Sequence, residues 1–258
     1  DSASQLYTEY EFAGLAGKLI NNGLVDASAC ENSGLLETGE ASDCGIQAAL
    51  PVMYAWQNRF NTPIISAAQN NGVPARMMKN IFAWESQFWP TTVYVNTFEY
   101  GLGHITQMGA DSALRWDTDL YIDVCSNSFN KETCQKDYVD QPDSIRKALQ
   151  GVILQKASAD CPTCRFNLDF DKAEASISIF ARTLKANARF VEKSVKILTR
   201  KDAADLLSEE DYWRFTLVSY NAGPGCFHTA AGAVYNRGMD LTWNNLKQYL
   251  EPACKGSI

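Results

Sequence analysis

From residue 171 to residue 198 apolar side chains return on helical spacing without a break, and this run constrains the fold more than any other feature of the chain. Ile177, Phe180, Leu184, Phe190, Val191, Val195 and Leu198 fall on one stripe, the way an α-helix presents a face to a core. The same period recurs elsewhere. Phe12, Leu15, Leu19 and Ile20 predict a helix within residues 11–24 that stops at Asn21-Asn22-Gly23. Residues 48–60 predict a second helix, interrupted by Asn61-Thr62-Pro63 before a helical segment at 64–71, and residues 144–157 read as an amphipathic helix. Ser208 followed by Glu209, Glu210 and Asp211 supplies an N-cap and an acidic first turn for a helix over 212–221, which Gly223-Pro224-Gly225 ends. There is no internal repeat or polar interdomain linker, so the expectation is one all-α (mainly α) domain.

At 258 residues, with 46% hydrophobic and 21% charged residues, the chain can bury a sizeable single core. It has no uninterrupted apolar run of about 18 residues, so no membrane span is expected. A net charge of -7 argues against nucleic acid, which calls for basic stripes. The same charge gives no long-range attraction to an anionic cell wall, so a wall polymer would have to be held by local contacts in a cleft.

Eight cysteines stand at Cys30, Cys44, Cys125, Cys134, Cys161, Cys164, Cys226 and Cys254. Pairing of sequence neighbours is the most economical scheme: Cys30 with Cys44, Cys125 with Cys134, Cys161 with Cys164, and Cys226 with Cys254. Spacing alone leaves other connectivities open. A zinc site would need a second ligand pair beside Cys161 and Cys164, and His104 and His228, the two histidines, lie in no spaced Cys/His motif. No metal and no cofactor are expected. Disulfides imply an oxidising compartment, hence a secreted or periplasmic protein whose signal has been removed.

Glu85 is the residue on which chemistry can be built. In the helical run after Pro74 it shares the apolar stripe of Met77, Met78, Ile81 and Phe82. Burial penalises the ionised carboxylate and lifts its pKa toward neutrality, where it can donate a proton. The alternative is a carboxylate that ends a core helix and reaches solvent past Trp84 and Ser86. Trp84, Phe88 and Trp89 beside it are either sugar-stacking platforms or packing residues.

Three segments then occur in order: Glu85-Ser86-Gln87-Phe88, Tyr100-Gly101-Leu102-Gly103-His104-Ile105-Thr106, and Ser219-Tyr220-Asn221-Ala222-Gly223-Pro224-Gly225. Together they resemble the signature segments of the lytic transglycosylases of the goose-type lysozyme superfamily: Glu-Ser-x-Phe, Gly-Leu-Met-Gln-Ile-Thr and Ala-Tyr-Asn-Ala-Gly-x-Gly. The resemblance covers roughly residues 63–110 and 171–226. Gly103-His104 stands where the motif usually reads Met-Gln, and Ser219 where Ala is usual.

The resemblance implies a lysozyme-like (goose-type) fold across residues 1–258. Residues 1–62 would be an N-terminal helical extension, 63–115 with 171–258 the catalytic core, and 116–170 a cysteine-containing insertion that either walls the cleft or merely elaborates the fold. It also implies a monomeric peptidoglycan lytic transglycosylase. Glu85 would be acid and base, with Ser86, Gly101, Leu102, His104, Tyr220 and Asn221 lining the substrate site. Ser86 would orient the substrate, Tyr220 hold the catalytic carboxyl, Asn221 touch sugar or cleft backbone, and His104 bond an acetamido group. Glycosidases that use water carry a second carboxylate, about 5 Å away as nucleophile or roughly 6.5–9.5 Å away as base. Glu99 is the nearest candidate, and its other reading is an exposed loop acid. Two alternatives therefore stay open: a goose-type lysozyme-like hydrolase of peptidoglycan or chitin, and a noncatalytic glycan-binding protein on the same scaffold.

Overall fold

The computed structural model describes residues 2–91 and 99–254. It is mainly helical. The helices are α1 (Ala13–Asn21), α2 (Asp43–Asn58), α3 (Asn61–Asn71), α4 (Ala75–Glu85), α5 (Gln107–Trp116), α6 (Thr118–Ser126), α7 (Lys131–Cys134), α8 (Asp143–Ala157), α9 (Phe170–Thr199), α10 (Glu209–Ala222), α11 (Pro224–Asn236) and α12 (Trp243–Cys254). Only isolated β-bridges, and no strands, occur among the described residues. No described helix is long and apolar enough to cross a membrane.

The long run expected at 171–198 is α9, and the Ser208 cap of α10 is formed as read, with its hydroxyl accepting from the Asp211 N–H. Elsewhere the boundaries move. Ser42 caps α2 by accepting from Gly45 N, so that helix starts at Asp43 and carries Pro51 inside it. The break expected at Asn61-Thr62-Pro63 falls earlier, at Arg59 and Phe60, and α3 begins at Asn61. Gly223-Pro224-Gly225 ends α10 but also starts α11, because proline suits a first helical position.

The chain divides into two compact units, Asp1–Gln107 with Gly151–Ala181, and Met108–Gln150 with Arg182–Ile258. The stretch 116–170 is thus shared between them. In the first unit α1 packs on α2 and α3 on α4. Its core includes Leu15, Leu19, Met53, Phe60, Ile64, Met78, Phe82, Ile177 and Phe180. Lys79 is a charged residue in that core, 1% exposed. Its ammonium donates to the Leu6 carbonyl and, at 2.7 and 2.6 Å, to Asn58 Oδ1 and Asn61 Oδ1. Those amides in turn donate to the Thr8 and Ala3 carbonyls. The network fastens the N-terminal segment to α2, α3 and α4.

In the second unit α10, α11 and α12 pack around Phe215, Phe227, Val234 and Leu246, together with Val191 and Val195 of α9. Buried Asp117 caps α6 and takes Arg182 at 2.9 Å and Arg189 at 3.4 Å. Burial raises its pKa, but Arg182, the Leu120 N–H and Arg189 together outweigh burial and hold it below the usual range.

All four neighbour pairs are disulfides: Cys30–Cys44, Cys125–Cys134, Cys161–Cys164 and Cys226–Cys254. No described cysteine is free. The first closes the loop ahead of α2, the second joins α6 to α7, the third closes the turn between α8 and α9, and the last ties α11 to α12.

Candidate active site

Glu85 is the last residue of α4. The helix reaches it because Met78 and Phe82 are fully buried while Met77, Ile81 and Glu85 lie at the stripe's edge, half-buried. Two left-handed residues in succession, Gln87 (φ 48°) and Phe88 (φ 63°), then reverse the chain. Side chains pin that reversal. Gln87 Oε1 accepts from Leu15 N at 3.0 Å, Trp56 Nε1 donates to the Phe88 carbonyl at 3.0 Å, and Trp89 stacks on Trp56 with ring centroids 4.9 Å apart. Phe88 and Trp89 are therefore packing residues, whereas Trp84 is 89% exposed. Ser86 is buried, and its hydroxyl donates to the Phe82 carbonyl at 3.1 Å, closing the last turn of α4.

The second motif folds as a tight hairpin. Tyr100 and Ile105 exchange both backbone hydrogen bonds, at 3.1 and 2.9 Å, and the His104 N–H donates to the Gly101 carbonyl. Gly101 has φ +71°, and a Cβ there would lie 2.6 Å from Ser176 Cβ. At Gly103 a Cβ would lie 2.1 Å from Cδ2 of Phe180. Phe180 thus fills the volume that a side chain would occupy at the position where the resembled motif carries Met. Leu102 and Ile105 are buried and anchor the hairpin to the first unit's core. His104, left-handed at φ 47°, is turned toward Glu85 as a result.

His104 Nδ1 lies 3.5 Å from Glu99 Oε2 and 3.8 Å from Glu85 Oε2. The imidazole side chain is 9% exposed, each carboxylate 34%. Glu99 is thus brought to the same point as Glu85, and the two Oε2 atoms can be no farther apart than the sum of those distances. Burial raises the Glu85 pKa, and the negative charge of Glu99 raises it further. Burial lowers that of His104, with Glu99 acting in the opposite sense. The net effect at each group favours its uncharged form, the carboxylic acid at Glu85 and the neutral imidazole at His104. Among the described residues no three His, Cys, Asp or Glu side chains form a group that could hold a metal ion.

Tyr220 and Asn221 lie in the last turn of α10, in the second unit; Tyr220 is half-buried and Asn221 exposed. Ser219, just before them, is buried and donates to Asn187 Oδ1 at 2.8 Å. That bond ties α10 to α9 and gives the hydroxyl a purpose that alanine would lack. Sequence proximity to the second motif singles out Glu99 as the nearest other carboxylate, but its convergence on His104 depends on how the Tyr100–Ile105 hairpin is folded. No family model matches the chain, and no curated protein or solved structure matches it either.

Proposed function

We propose that the protein is a lytic transglycosylase that cleaves the β-1,4 bond between N-acetylmuramic acid and N-acetylglucosamine in peptidoglycan, on a lysozyme-like scaffold. The observation that carries this reading is the meeting of the first two motif segments: Glu85 from one and His104 from the other come within 3.8 Å. Glu85 ends a rigid helix, is half-buried, and has its pKa raised by burial and by Glu99. A carboxyl whose acid form is favoured in this way suits protonation of a poor leaving oxygen.

In the proposed cycle Glu85 gives its proton to the glycosidic oxygen as the C1–O bond breaks. The oxocarbenium-like carbon is relieved by the substrate's own acetamido group. Glu85, now a carboxylate, takes the proton of the muramoyl C6 hydroxyl, whose oxygen closes on C1 to give a 1,6-anhydro end. Proton and bond counts balance with no water consumed. Tyr220 and Asn221 are proposed as substrate residues by resemblance alone, while Gly101, Leu102 and Ser86 are buried and would act on the substrate only by shaping the hairpin and the helix end behind it. The four disulfides support an exported protein.

The position of Glu99 favours a second reading, hydrolysis on the same scaffold. Its carboxylate approaches the same imidazole atom as Glu85, which supplies the second acid that a water-using glycosidase needs. A hundredfold or greater loss in Glu99→Gln, with reducing ends from the unmutated enzyme, assigns hydrolysis. Both readings depend on Glu85. Glu85→Gln keeps the shape and loses the proton, so it should abolish release of soluble fragments from purified peptidoglycan with an unchanged melting curve. Near-normal turnover by that folded variant removes Glu85 from the mechanism.

A further inference from the structure

The imidazole of His104 is held between two carboxylates through one nitrogen only. Nδ1 faces Glu99 Oε2 at 3.5 Å and Glu85 Oε2 at 3.8 Å. Nε2 is buried and has no hydrogen-bond partner among the described residues. A neutral imidazole carries a single N–H, and which nitrogen bears it is decided by the available acceptors. A proton on Nε2 would leave that N–H with no acceptor among the described residues and would turn the Nδ1 lone pair toward two carboxylate oxygens. A proton on Nδ1 avoids the repulsion and gives the carboxylates a donor. Both contacts are longer than a formed hydrogen bond, about 2.7–3.2 Å for N–H···O. They are also nearly equal, so a small tilt of the ring completes either one. The backbone underneath does not share in that tilt, because Gly103 abuts the Phe180 ring and the Tyr100–Ile105 bridge closes the hairpin.

We propose that His104, protonated on Nδ1, is a positioning residue that donates to Glu99 while Glu85 carries its proton and to Glu85 once that proton has gone to the leaving oxygen. The inference rests on the reading of Glu85 as the acid. A single carboxyl that must act first as acid and then as base needs its proton affinity held up between the two steps, yet its anion must not be left bare. The negative charge of Glu99 does the first by like-charge repulsion, and the Nδ1–H does the second by turning toward Glu85 once both carboxylates are charged, where a donor within 3.5 and 3.8 Å of the two stabilises the pair more than it stabilises Glu99 alone. No proton is transferred through the ring. Glu85 loses one to the leaving oxygen and regains one from the C6 hydroxyl, while the imidazole N–H only changes acceptor. The charged or titratable groups recorded against His104 among the described residues are Glu85 and Glu99; those acting on Glu85 are Glu99 and His104.

The roles of Glu99 and His104 have opposite signatures in the alkaline limb of the pH–rate profile, which reports loss of the Glu85 proton. Removing the neighbouring charge in Glu99→Gln should move that limb to lower pH. Removing the donor in His104→Ala should move it up. His104→Asn, which keeps an amide donor and tolerates a left-handed backbone, should restore the limb toward its original place. A purely structural role would lower the rate without moving the limb. A second measurement needs no variant of these residues. The chain has only His104 and His228, so ¹⁵N spectra of the imidazoles, assigned with His228→Gln, read the His104 tautomer directly. The expected result is a neutral ring protonated on Nδ1 at neutral pH, whose resonance responds to Glu85 titration. An Nε2-protonated ring or an imidazolium at neutral pH overturns the proposal, as does a limb unmoved in both Glu99→Gln and His104→Ala. If the protein cleaves no glycan at all, the glycosidase reading fails, while the tautomer and its coupling to Glu85 remain readable by NMR.

Discussion

Gly103→Ala tests how the hairpin bearing His104 is seated, because one methyl group is all it adds. The new Cβ would lie 2.1, 2.4 and 2.8 Å from Cδ2, Cε2 and Cγ of Phe180, where carbon atoms prefer about 3.5–4.0 Å. Something must move by more than about an ångström. Phe180 cannot yield easily: it is fully buried, and Phe82 stands edge-on to it at 4.9 Å. Overpacking of this kind costs about 1–3 kcal/mol, and the depth of the clash places Gly103→Ala near the upper end, about 3 kcal/mol. For a chain of this size that is a drop in Tm of about 6–12 °C. The assay is chemical denaturation without reductant, run as a double-mutant cycle with Phe180→Ala. Phe180→Ala alone should lose about 3–5 kcal/mol, and adding Gly103→Ala to it should cost little more, since the ring is gone. Gly151 is the control. It lies inside α8 with open space around its Cβ position, so Gly151→Ala should stabilise by about 0.5–1 kcal/mol. A Gly103→Ala protein within about 0.5 kcal/mol of the parent, or the same loss with and without Phe180, refutes the account of the hairpin.

Lys79→Met removes the donor to three buried oxygens and should cost about 3 kcal/mol in denaturant unfolding; a loss below about 1 kcal/mol would mean the network does not hold the N-terminal segment. Burial lowers the Lys79 pKa from 10.5 to about 8, so between those values the unfolded chain binds the extra proton and stability rises with pH. The parent should therefore gain on Lys79→Met from pH 8 to about 10.5, and a constant difference would contradict the shift. All cysteines are paired, so thiol titration of the denatured, nonreduced protein should find essentially none. Replacing Cys30 and Cys44, 14 residues apart, by serine should cost about 3 kcal/mol, and an unchanged melting curve would count against the loop they close.

The helices announced by apolar period or cap were legible in the sequence. The α9 stripe needs no tertiary information, and Ser208 is the N-cap of α10 as the sequence suggests, although the helix begins at Glu209 and not at residue 212. The disulfides are the neighbour pairs that economy favours, although spacing alone leaves other connectivities open and the Cys226–Cys254 bridge spans 28 residues. The α2–α3 boundary was misplaced for a physical reason. Proline is tolerated in the first turn of a helix, so Pro63 marks a beginning at Asn61 where it was read as a break. The buried face of α4 is rotated from the stripe that the apolar period marks: Met78 and Phe82 belong to both, but Ala75, Lys79 and Ala83 complete it and Met77, Ile81 and Glu85 stand at its edge. The acceptors of Lys79 come from the N-terminal segment, α2 and α3, and no pattern along one helix reveals them. Glu85 was legible as a carboxylate on an apolar stripe. The nearness of Glu99 was not, because it depends on how a hairpin packs against Phe180 and Ser176.

The measurement that bears most directly on the central claim is the mass of the products. Purified peptidoglycan digested with the oxidised protein should yield muropeptides ending in 1,6-anhydromuramic acid, lighter by one water than hydrolytic ends, and Glu85→Gln should yield none. Reducing ends as the main product would contradict the transglycosylase route and assign Glu99 to water activation, and release of no fragments from peptidoglycan would contradict the claim itself.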